Sequence, residues 1–228
     1  MSNQFNREII LDTETTGLSP EKGDRIVEIG CIELVNYNLT GNEFHKYLNP
    51  EREMSEGAFR VSGISDEFLK DKPHFKEIAN DLINFIGNSK IVAHNAPFDI
   101  GFLNNELKIS NKKQIEFDSV IDTLALARKK FPGAQASLDA LCKRFEIDNS
   151  KRVKHGALLD AYLLTEVYIE LIGGKQTTLI LTEDKKEKIS ISNKKKISID
   201  RKYYITEEEK LAHQDMLNLI QKPIWNKR

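Results

Sequence analysis

The sequence predicts an α/β domain with a mixed five-stranded sheet flanked by helices, followed by a flexible C-terminal tail. Short apolar runs typical of strands come first and later alternate with amphipathic stripes at helical spacing. The stretch 36–41 joins two strands and is too short for a crossover connection. Beyond residue 174 the chain becomes rich in Lys, Ser and Ile without a helical stripe, which is typical of a linker.

The predicted strands are recognised by their apolar and β-branched residues. Residues 7–12, 25–35 and 42–48 give the first three, and the short connection between the last two predicts an antiparallel hairpin. Two further strands are predicted at 90–94 and 117–121. A hairpin followed by strands that alternate with helices indicates a mixed sheet.

The predicted helices carry apolar residues on one face. The clearest stripe ends at Gly87 and consists of Phe75, Ile78, Ala79, Leu82, Ile83 and Ile86. Further helices are predicted from Pro97 onward, over 123–130, from the N-cap Ser137 to Phe145, and over 156–172. These helices are expected to cover the sheet.

The pattern divides the chain into a domain at 1–174, a linker at 175–205 and a helical tail at 206–228. Thr206 and Glu209 fit a capping box at the start of the last helix. Cys31 and Cys142 are predicted to be buried free thiols. The N-terminus lacks the apolar core of a signal peptide, and no apolar run approaches membrane-spanning length. We therefore expect a cytoplasmic protein without a membrane partner.

Charge is distributed unevenly along the chain, whose net charge is −1. From Gly174 onward 13 Lys and Arg stand against 8 Asp and Glu, whereas the preceding part carries 21 against 27. An acidic domain does not favour nucleic-acid binding through a broad basic surface. If the domain handles nucleic acid, we expect a local site in which metal ions supply the positive charge.

Asp12 and Glu14 are the most informative pair of residues, and they follow the apolar run 9–11 directly. Because successive strand side chains alternate between faces, both carboxylates project from the same side of the strand. Neighbouring carboxylates repel each other unless a cation lies between them, and a hard divalent cation with oxygen ligands removes that cost. The pair therefore predicts part of a metal site.

Two further acids lie where a strand gives way to a helix, or where a helix begins, which is where α/β sheets place their sites. Asp99 follows the fourth predicted strand, and Asp160 lies at the start of the last helix of the domain. His155 precedes Asp160 by little more than one helical turn, so both side chains can face one point. With Asp12 and Glu14 they predict an acid cluster that binds metal beside one titratable base.

The segments that carry these residues resemble the DEDDh-type 3′→5′ exonucleases, and within them the proofreading epsilon subunits of bacterial DNA polymerase III. An Asp-x-Glu motif alone would be weak support, whereas three motifs in this order are strong. The similarity extends over residues 7–174. The matching segments are Ile10-Leu11-Asp12-Thr13-Glu14-Thr15-Thr16-Gly17, His94-Asn95-Ala96-Pro97-Phe98-Asp99-Ile100-Gly101-Phe102, Ser137-Leu138-Asp139-Ala140-Leu141-Cys142, Glu146-Ile147-Asp148-Asn149-Ser150-Lys151-Arg152 and His155-Gly156-Ala157-Leu158-Leu159-Asp160-Ala161.

The resemblance implies a ribonuclease-H-like fold and a metal-dependent 3′→5′ exodeoxyribonuclease, a component of a DNA-directed DNA polymerase. It implies two Mg²⁺ or Mn²⁺ ions held by Asp12, Glu14, Asp160 and, directly or through a water, Asp99. His155 is then expected to be the general base. The expected substrate is a single-stranded or frayed DNA 3′ end contacted by Asp12, Glu14 and Asp160, and the expected product is a nucleoside 5′-monophosphate.

The expected pocket for the terminal nucleotide departs from the family pattern at two positions. Family members usually carry a His at the position of Ser62, and the epsilon subunits carry a Glu at the position of Gly57. Those side chains contact the substrate, whereas here only a hydroxyl or the backbone is available. Thr15, Gly57 and Ser62 are therefore the predicted substrate-binding positions beside the acids.

The tail resembles segments that epsilon subunits use to bind partners. Gln176, Leu179 and Leu181 fit the short peptides that bind the bacterial sliding clamp, although such a peptide has low specificity and also fits an apolar end to a linker. The amphipathic segment 206–225 is expected to bind the polymerase III catalytic alpha subunit as a helix in a groove. A tether of this kind raises local concentration without new contacts.

Two other functions share part of this pattern. An RNA-trimming DEDDh 3′ exoribonuclease would carry the same acid cluster, so the cluster alone does not discriminate between DNA and RNA. A mainly structural polymerase subunit would need only the tail, and the intact set of acids and histidine argues against that as the sole role. The clamp-like peptide and terminal helix favour the DNA-directed function.

Overall fold

The computed structural model describes residues 6–173 and 205–219 of the 228-residue chain. The chain divides into two compact units, Met1–Ile180 and Leu181–Arg228. The first unit contains a five-stranded sheet, and the described part of the second is a single helix. No described helix is long and apolar enough to cross a lipid bilayer.

The sheet is mixed, as predicted, and its strand order is β3-β2-β1-β4-β5. Strand β1 pairs antiparallel with β2, which pairs antiparallel with β3, whereas β4 and β5 run parallel to β1. The strands are β1 (Arg7–Thr15), β2 (Ile26–Val35), β3 (Asn38–Tyr47), β4 (Lys90–Ala93) and β5 (Val120–Asp122).

Helices cover both faces of the sheet. The helices of the first unit are α1 (Glu56–Ser62), α2 (Asp66–Leu69), α3 (Phe75–Ile86), α4 (Ala96–Ile109), α5 (Thr123–Lys130), α6 (Leu138–Phe145) and α7 (Ala157–Leu171), and the second unit contains α8 (Glu207–Leu219). Alternate residues of β1 divide between two cores. Ile9 and Leu11 pack with α3 and α4, whereas Ile10 packs with α6 and α7. The face of β1 that continues from Ile10 to Asp12 and Glu14 is therefore the face covered by α7.

Three local features differ from the sequence-based prediction. Strand β3 begins at Asn38, four residues earlier than expected, because the hairpin turns tightly at Asn36 and Tyr37. Both turn residues have positive φ, 51° and 64°, and tyrosine is unusual in that conformation, so the residue types do not indicate a two-residue turn at this point of the predicted hairpin. Strand β5 is shorter than predicted because Phe117–Ser119 forms a 3₁₀ turn. The short helices α1 and α2 were not predicted.

Helix α7 begins unusually close to strand β2. A Cβ atom on Gly30 would overlap the backbone of Ala157 and Leu158, so only glycine permits this approach. Glu28, two residues earlier on the same strand face, accepts a hydrogen bond from the Ala157 amide at 3.1 Å. A carboxylate at a helix N-terminus stabilises the first turn, so Glu28 and Gly30 together fix where α7 starts.

The last helix begins with the predicted capping box. The Thr206 hydroxyl accepts from the Glu209 amide at 3.2 Å, and the Thr206 amide donates to the Glu209 carboxylate at 2.9 Å. Leu211, Met216 and Leu219 are partly or largely exposed on α8. The predicted clamp peptide and nearly all of the predicted linker lie outside the described residues, as does the end of the tail after Leu219.

Replacing Gly30 with alanine should push α7 away from β2. We expect Gly30→Ala to lower the free energy of unfolding by about 1–3 kcal/mol, because overpacking a rigid backbone contact forces a shift. Urea unfolding of the full chain measures this change. Gly101→Ala is the matched control, since a Cβ there meets nothing within 4 Å and alanine favours the helix interior. Equal stability of the two variants would contradict the proposed contact.

Candidate active site

A cleft of about 1060 Å³ lies where strands β1, β4 and β5 end and helices α4 and α7 begin. The five residues predicted to bind metal or to catalyse the reaction all line it, namely Asp12, Glu14, Asp99, His155 and Asp160. Its walls also include apolar side chains, among them Val61, Phe98 and Leu138. The structure therefore brings together residues that are separated by as many as 148 positions in the sequence.

Asp12 and Glu14 project from the end of β1 toward α7. Their cross-strand partners on β2 are Gly30 and Glu28, which leaves space above Asp12 for the helix. Glu28 is buried, and its carboxylate also contacts His45 Nε2 at 2.7 Å. The Glu28 carboxylate is therefore occupied by contacts that support α7. Asp12 and Glu14, in contrast, are only partly buried, and both line the cleft.

Asp99 enters the site from the opposite face of the sheet. Strand β4 pairs with β1 only as far as Ile10, and α4 begins beside the part of β1 that is left uncovered. The buried Asp99 Oδ1 accepts from the Thr13 amide at 3.1 Å and from the Thr13 hydroxyl at 2.7 Å. The Asp99 carboxylate therefore accepts the hydrogen bond that a neighbouring strand would otherwise accept from the Thr13 amide.

The start of α4 is held in place by Asp122 at the end of β5. Asp122 Oδ1 accepts from the amides of Asn95 at 3.0 Å, Ala96 at 3.3 Å and Leu124 at 3.0 Å. One carboxylate therefore caps both α4 and α5 at their positive ends. This cap fixes the first turn of α4, where Asp99 lies.

Asp160 and His155 approach from α7 and from the loop before it. Asp160 is buried in the first turn of α7, whereas the side chain of His155 is 45% exposed and borders the cleft. One ligand atom each from Glu14, His155 and Asp160 lies within 4.8 Å of the other two. Such a cluster is of a size to surround a single metal ion.

Burial and repulsion from other carboxylates raise the pKa values of three of the acids, Asp12, Glu14 and Asp99. Burial, with repulsion from Asp99, Asp160 and Glu14, raises the pKa of Asp12 well above its usual value. Burial, with repulsion from Asp160, raises the pKa of Glu14 to about 8. Burial also raises the pKa of Asp99 to about 7, although the Thr13 hydrogen bonds oppose the shift. A divalent cation would relieve this repulsion, so the donor set fits a hard metal ion.

Arg152 supplies positive charge to the cluster. Its Nε donates to Asp160 Oδ1 at 2.6 Å and its Nη2 donates to Asp160 Oδ2 at 2.7 Å. Nη2 also lies 2.9 Å from His155 Nδ1, and Nη1 donates to Asp139 at 2.8 Å. Burial and the charge of Arg152 lower the pKa of His155, whereas Asp160 raises it.

The predicted substrate positions are only partly suited to that role. Thr15 and Gly57 line the cleft, although the Thr15 hydroxyl donates to the Gly17 carbonyl at 2.6 Å. Ser62 is buried and is not among the residues that line the cleft. Its hydroxyl donates to the Ala58 carbonyl at 3.0 Å within α1, so the geometry does not support the expected contact of Ser62 with a nucleotide.

Sequence reasoning gave no site role to several residues that position the predicted ones, among them Thr13, Glu28 and Arg152. Thr13 lies between the two acids of the Asp-x-Glu motif, on the other face of the strand, and its contact with Asp99 is not indicated by that motif. Arg152 lies three residues before His155, a spacing that could have suggested a contact. The contact between Glu28 and Ala157 spans 129 residues, and no local pattern indicates it.

The family model described as Exonuclease matches residues 9–168 of this chain. The chain is 62% identical over 175 residues to the DNA polymerase III subunit epsilon of Rickettsia prowazekii (strain Madrid E), which covers 75% of this chain and 76% of that protein. It is 46% identical over 235 residues to the DNA polymerase III subunit epsilon of Escherichia coli (strain K12), with 97% and 96% covered.

Solved structures of exonucleases share the fold. Exonuclease X in complex with 5′ overhanging duplex DNA superposes with a TM-score of 0.57 at 28% identity, over 73% of this chain and 91% of that one. The nuclease domain of 3′hExo, a DEDDh family member bound to rAMP, superposes with a TM-score of 0.64 at 19% identity, over 76% and 94%. The second likeness concerns the fold alone.

The fold, the cleft and the relatives agree with one another. The exonuclease model spans the sheet except for the first two residues of β1, together with most of α7, and therefore includes every residue of the acid cluster. The epsilon subunits match over nearly the full length of both chains. The chain therefore belongs to the family of DNA polymerase III epsilon subunits, which contain an exonuclease domain.

Proposed function

We propose that this chain is the proofreading 3′–5′ exonuclease of a bacterial DNA polymerase III and that it removes mispaired 3′-terminal nucleotides from DNA. Membership of the epsilon family supports the exonuclease activity. The observation that carries the proposal is one cleft whose lining brings together Asp12, Glu14, Asp99, Asp160 and the partly exposed His155. Because the relatives are bacterial replication proteins, we propose that it acts in the cytoplasm.

Divalent metal dependence follows from the exonuclease family, and the donor set suits it. We assign Asp12 to both of two Mg²⁺ or Mn²⁺ ions, Glu14 and Asp160 to the first, and Asp99 to a direct or water-mediated contact. When bound, such ions would neutralise the scissile phosphate and stabilise the attacking and leaving oxygens. Thr13 would then hold one oxygen of Asp99 and leave the other available.

His155 is the proposed general base. Its lowered pKa favours the neutral ring at physiological pH, which is the form that accepts a proton from an attacking water. Its partial exposure and its position in the loop before α7 allow it to reach that water. The leaving group would be the 3′-hydroxyl of the shortened strand, and the product a nucleoside 5′-monophosphate.

The cleft favours a strand end that has already separated from its partner. The 3′-terminal nucleotide must leave the duplex to reach acids at the bottom of a cleft, and a mispaired end requires less energy for this. The acid cluster itself is equally compatible with RNA, as in an RNA-trimming exoribonuclease. The full-length match to epsilon subunits supports DNA as the substrate.

The C-terminal tail is the proposed attachment to the replication machinery. The chain is similar to epsilon subunits over the tail as well as the domain, since the match covers 97% of the chain. Residues 206–228, which begin with the capped helix α8, would bind the polymerase catalytic alpha subunit. Gln176, Leu179 and Leu181 would bind the sliding clamp.

Removal of the proposed base should abolish most hydrolysis without unfolding the protein. We expect His155→Ala to lower kcat on a 3′-mismatched primer by about 10²–10⁴-fold, the usual contribution of a general base. Thermal unfolding and Mn²⁺ titration should remain close to those of the unsubstituted chain. His213→Ala, on the exposed surface of α8, is the matched control. Near-normal turnover by His155→Ala would refute the assignment.

The rates at which the chain digests different 3′ ends distinguish the two candidate substrates, DNA and RNA. We expect the full chain with Mg²⁺ to digest a mismatched DNA primer end at least about tenfold faster than a matched one, because unpairing is easier. An RNA strand of the same sequence should be digested more slowly than the mismatched DNA. Gel assays of the three labelled ends provide the comparison. Faster digestion of RNA would instead favour the exoribonuclease alternative.

The tail should be necessary for binding the polymerase catalytic subunit. We expect immobilised full-length chain to retain purified alpha subunit, and a chain that ends at Gly174 to lose it, because segment 206–228 is then missing. Digestion of a mismatched primer by the shortened chain controls for folding. Equal retention by both chains would show that the binding surface lies in the exonuclease domain.

A further inference from the structure

We propose that Arg152 is a latch that must move away from Asp160 and His155 before Asp160 binds a divalent ion and His155 accepts a proton. The proposal depends on the proposed function in taking Asp160 as a metal ligand and His155 as the base. It concerns a different residue, Arg152, which lies in the loop between α6 and α7.

The first half of the latch is the contact with Asp160. Arg152 Nε and Nη2 form two parallel hydrogen bonds with the two Asp160 oxygens, at 2.6 Å and 2.7 Å, and both side chains are less than 10% exposed. This fork occupies both carboxylate oxygens with a positive charge. A divalent ion bound to the same oxygens would lie next to the guanidinium, so the two cations compete for Asp160.

The second half of the latch is the contact with His155. Arginine has only donors, so in the 2.9 Å contact between Nη2 and His155 Nδ1 the histidine nitrogen must accept. The neutral ring then carries its proton on Nε2. One ring nitrogen is occupied by Arg152 and the other by its own proton. His155 therefore has no free lone pair for a water proton while the latch is closed.

Asp139 provides a place for the guanidinium when the latch opens. Its Oδ2 accepts from Arg152 Nη1 at 2.8 Å, and its side chain is 57% exposed at the start of α6. Rotation about this ion pair would free Asp160 and His155 together while Arg152 keeps one carboxylate partner. Opening the latch therefore avoids leaving a buried charge unpaired.

The alternative is that Arg152 is a fixed support that orients Asp160 for the metal. The two roles predict opposite effects on metal affinity. A support makes the ligand better organised, so its removal weakens binding. A latch reduces the fraction of molecules that are ready to bind, so its removal strengthens binding.

Calorimetric titration of Mn²⁺ into the full chain, after removal of bound metal with a chelator, separates the two roles. We expect Arg152→Ala to bind Mn²⁺ about tenfold more tightly than the unsubstituted chain, because the closed population no longer competes. Lys151→Ala is the matched control, since it removes the same charge from the neighbouring, exposed position. Binding by Arg152→Ala that is equal to or weaker than that of Lys151→Ala would overturn the proposal.

Nuclear magnetic resonance of the unsubstituted chain tests the contact between Arg152 and His155. This experiment needs no variant, so it does not depend on whether a substituted chain folds. In metal-stripped protein we expect the His155 ring nitrogens to show the Nε2–H form alone. Saturating Mg²⁺ should leave that proton on Nε2 but shift the Nδ1 resonance, because Arg152 no longer donates to Nδ1. An unchanged Nδ1 resonance with Mg²⁺ bound would overturn the latch. Failure of the unsubstituted chain to bind either metal would contradict the proposed metal site as well.

Discussion

Helix α7 lies against strand β2 at Gly30, and the geometry of the cleft depends on that contact. Gly30 is the cross-strand partner of Asp12, so the missing side chain lets the helix pass directly beside the first acid. Glu28 then holds the first amide of the helix. Asp160 lies one turn further along α7 and reaches the same face of β1. A glycine and a carboxylate on β2 thus set the distance between acids on β1 and α7.

The arrangement concentrates negative charge that the protein alone only partly balances. Four carboxylates meet in one cleft, and the pKa values of three of them are raised by burial and mutual repulsion. The neighbouring carboxylates that support the site have partners within the protein, since Glu28 contacts His45 and a helix N-terminus, and Asp122 contacts two helix N-termini. The supporting acids are therefore neutralised by partners within the protein, whereas the acids of the cleft repel one another.

Much of the fold and of the site could be predicted from local patterns. The period of two along β1 placed Asp12 and Glu14 on one face, and strand-to-helix junctions identified Asp99 and Asp160. The hairpin turn at Tyr37 could not be predicted, because its positive φ is enforced by strand pairing rather than by residue type. The support from Glu28 and the contact between Thr13 and Asp99 could not be predicted either, since both join residues more than 80 positions apart.

The contact between Asp99 and Thr13 has a consequence for how the site can be dissected. Strand β1 has nine residues and β4 has four, so on the β4 side no strand residue pairs with Thr13. The Asp99 carboxylate satisfies that backbone amide and so acts as part of the sheet as well as part of the acid cluster. An alanine there removes both contributions at once. An asparagine keeps an oxygen for Thr13 while removing the negative charge, so it separates the chemistry of this residue from its place in the fold.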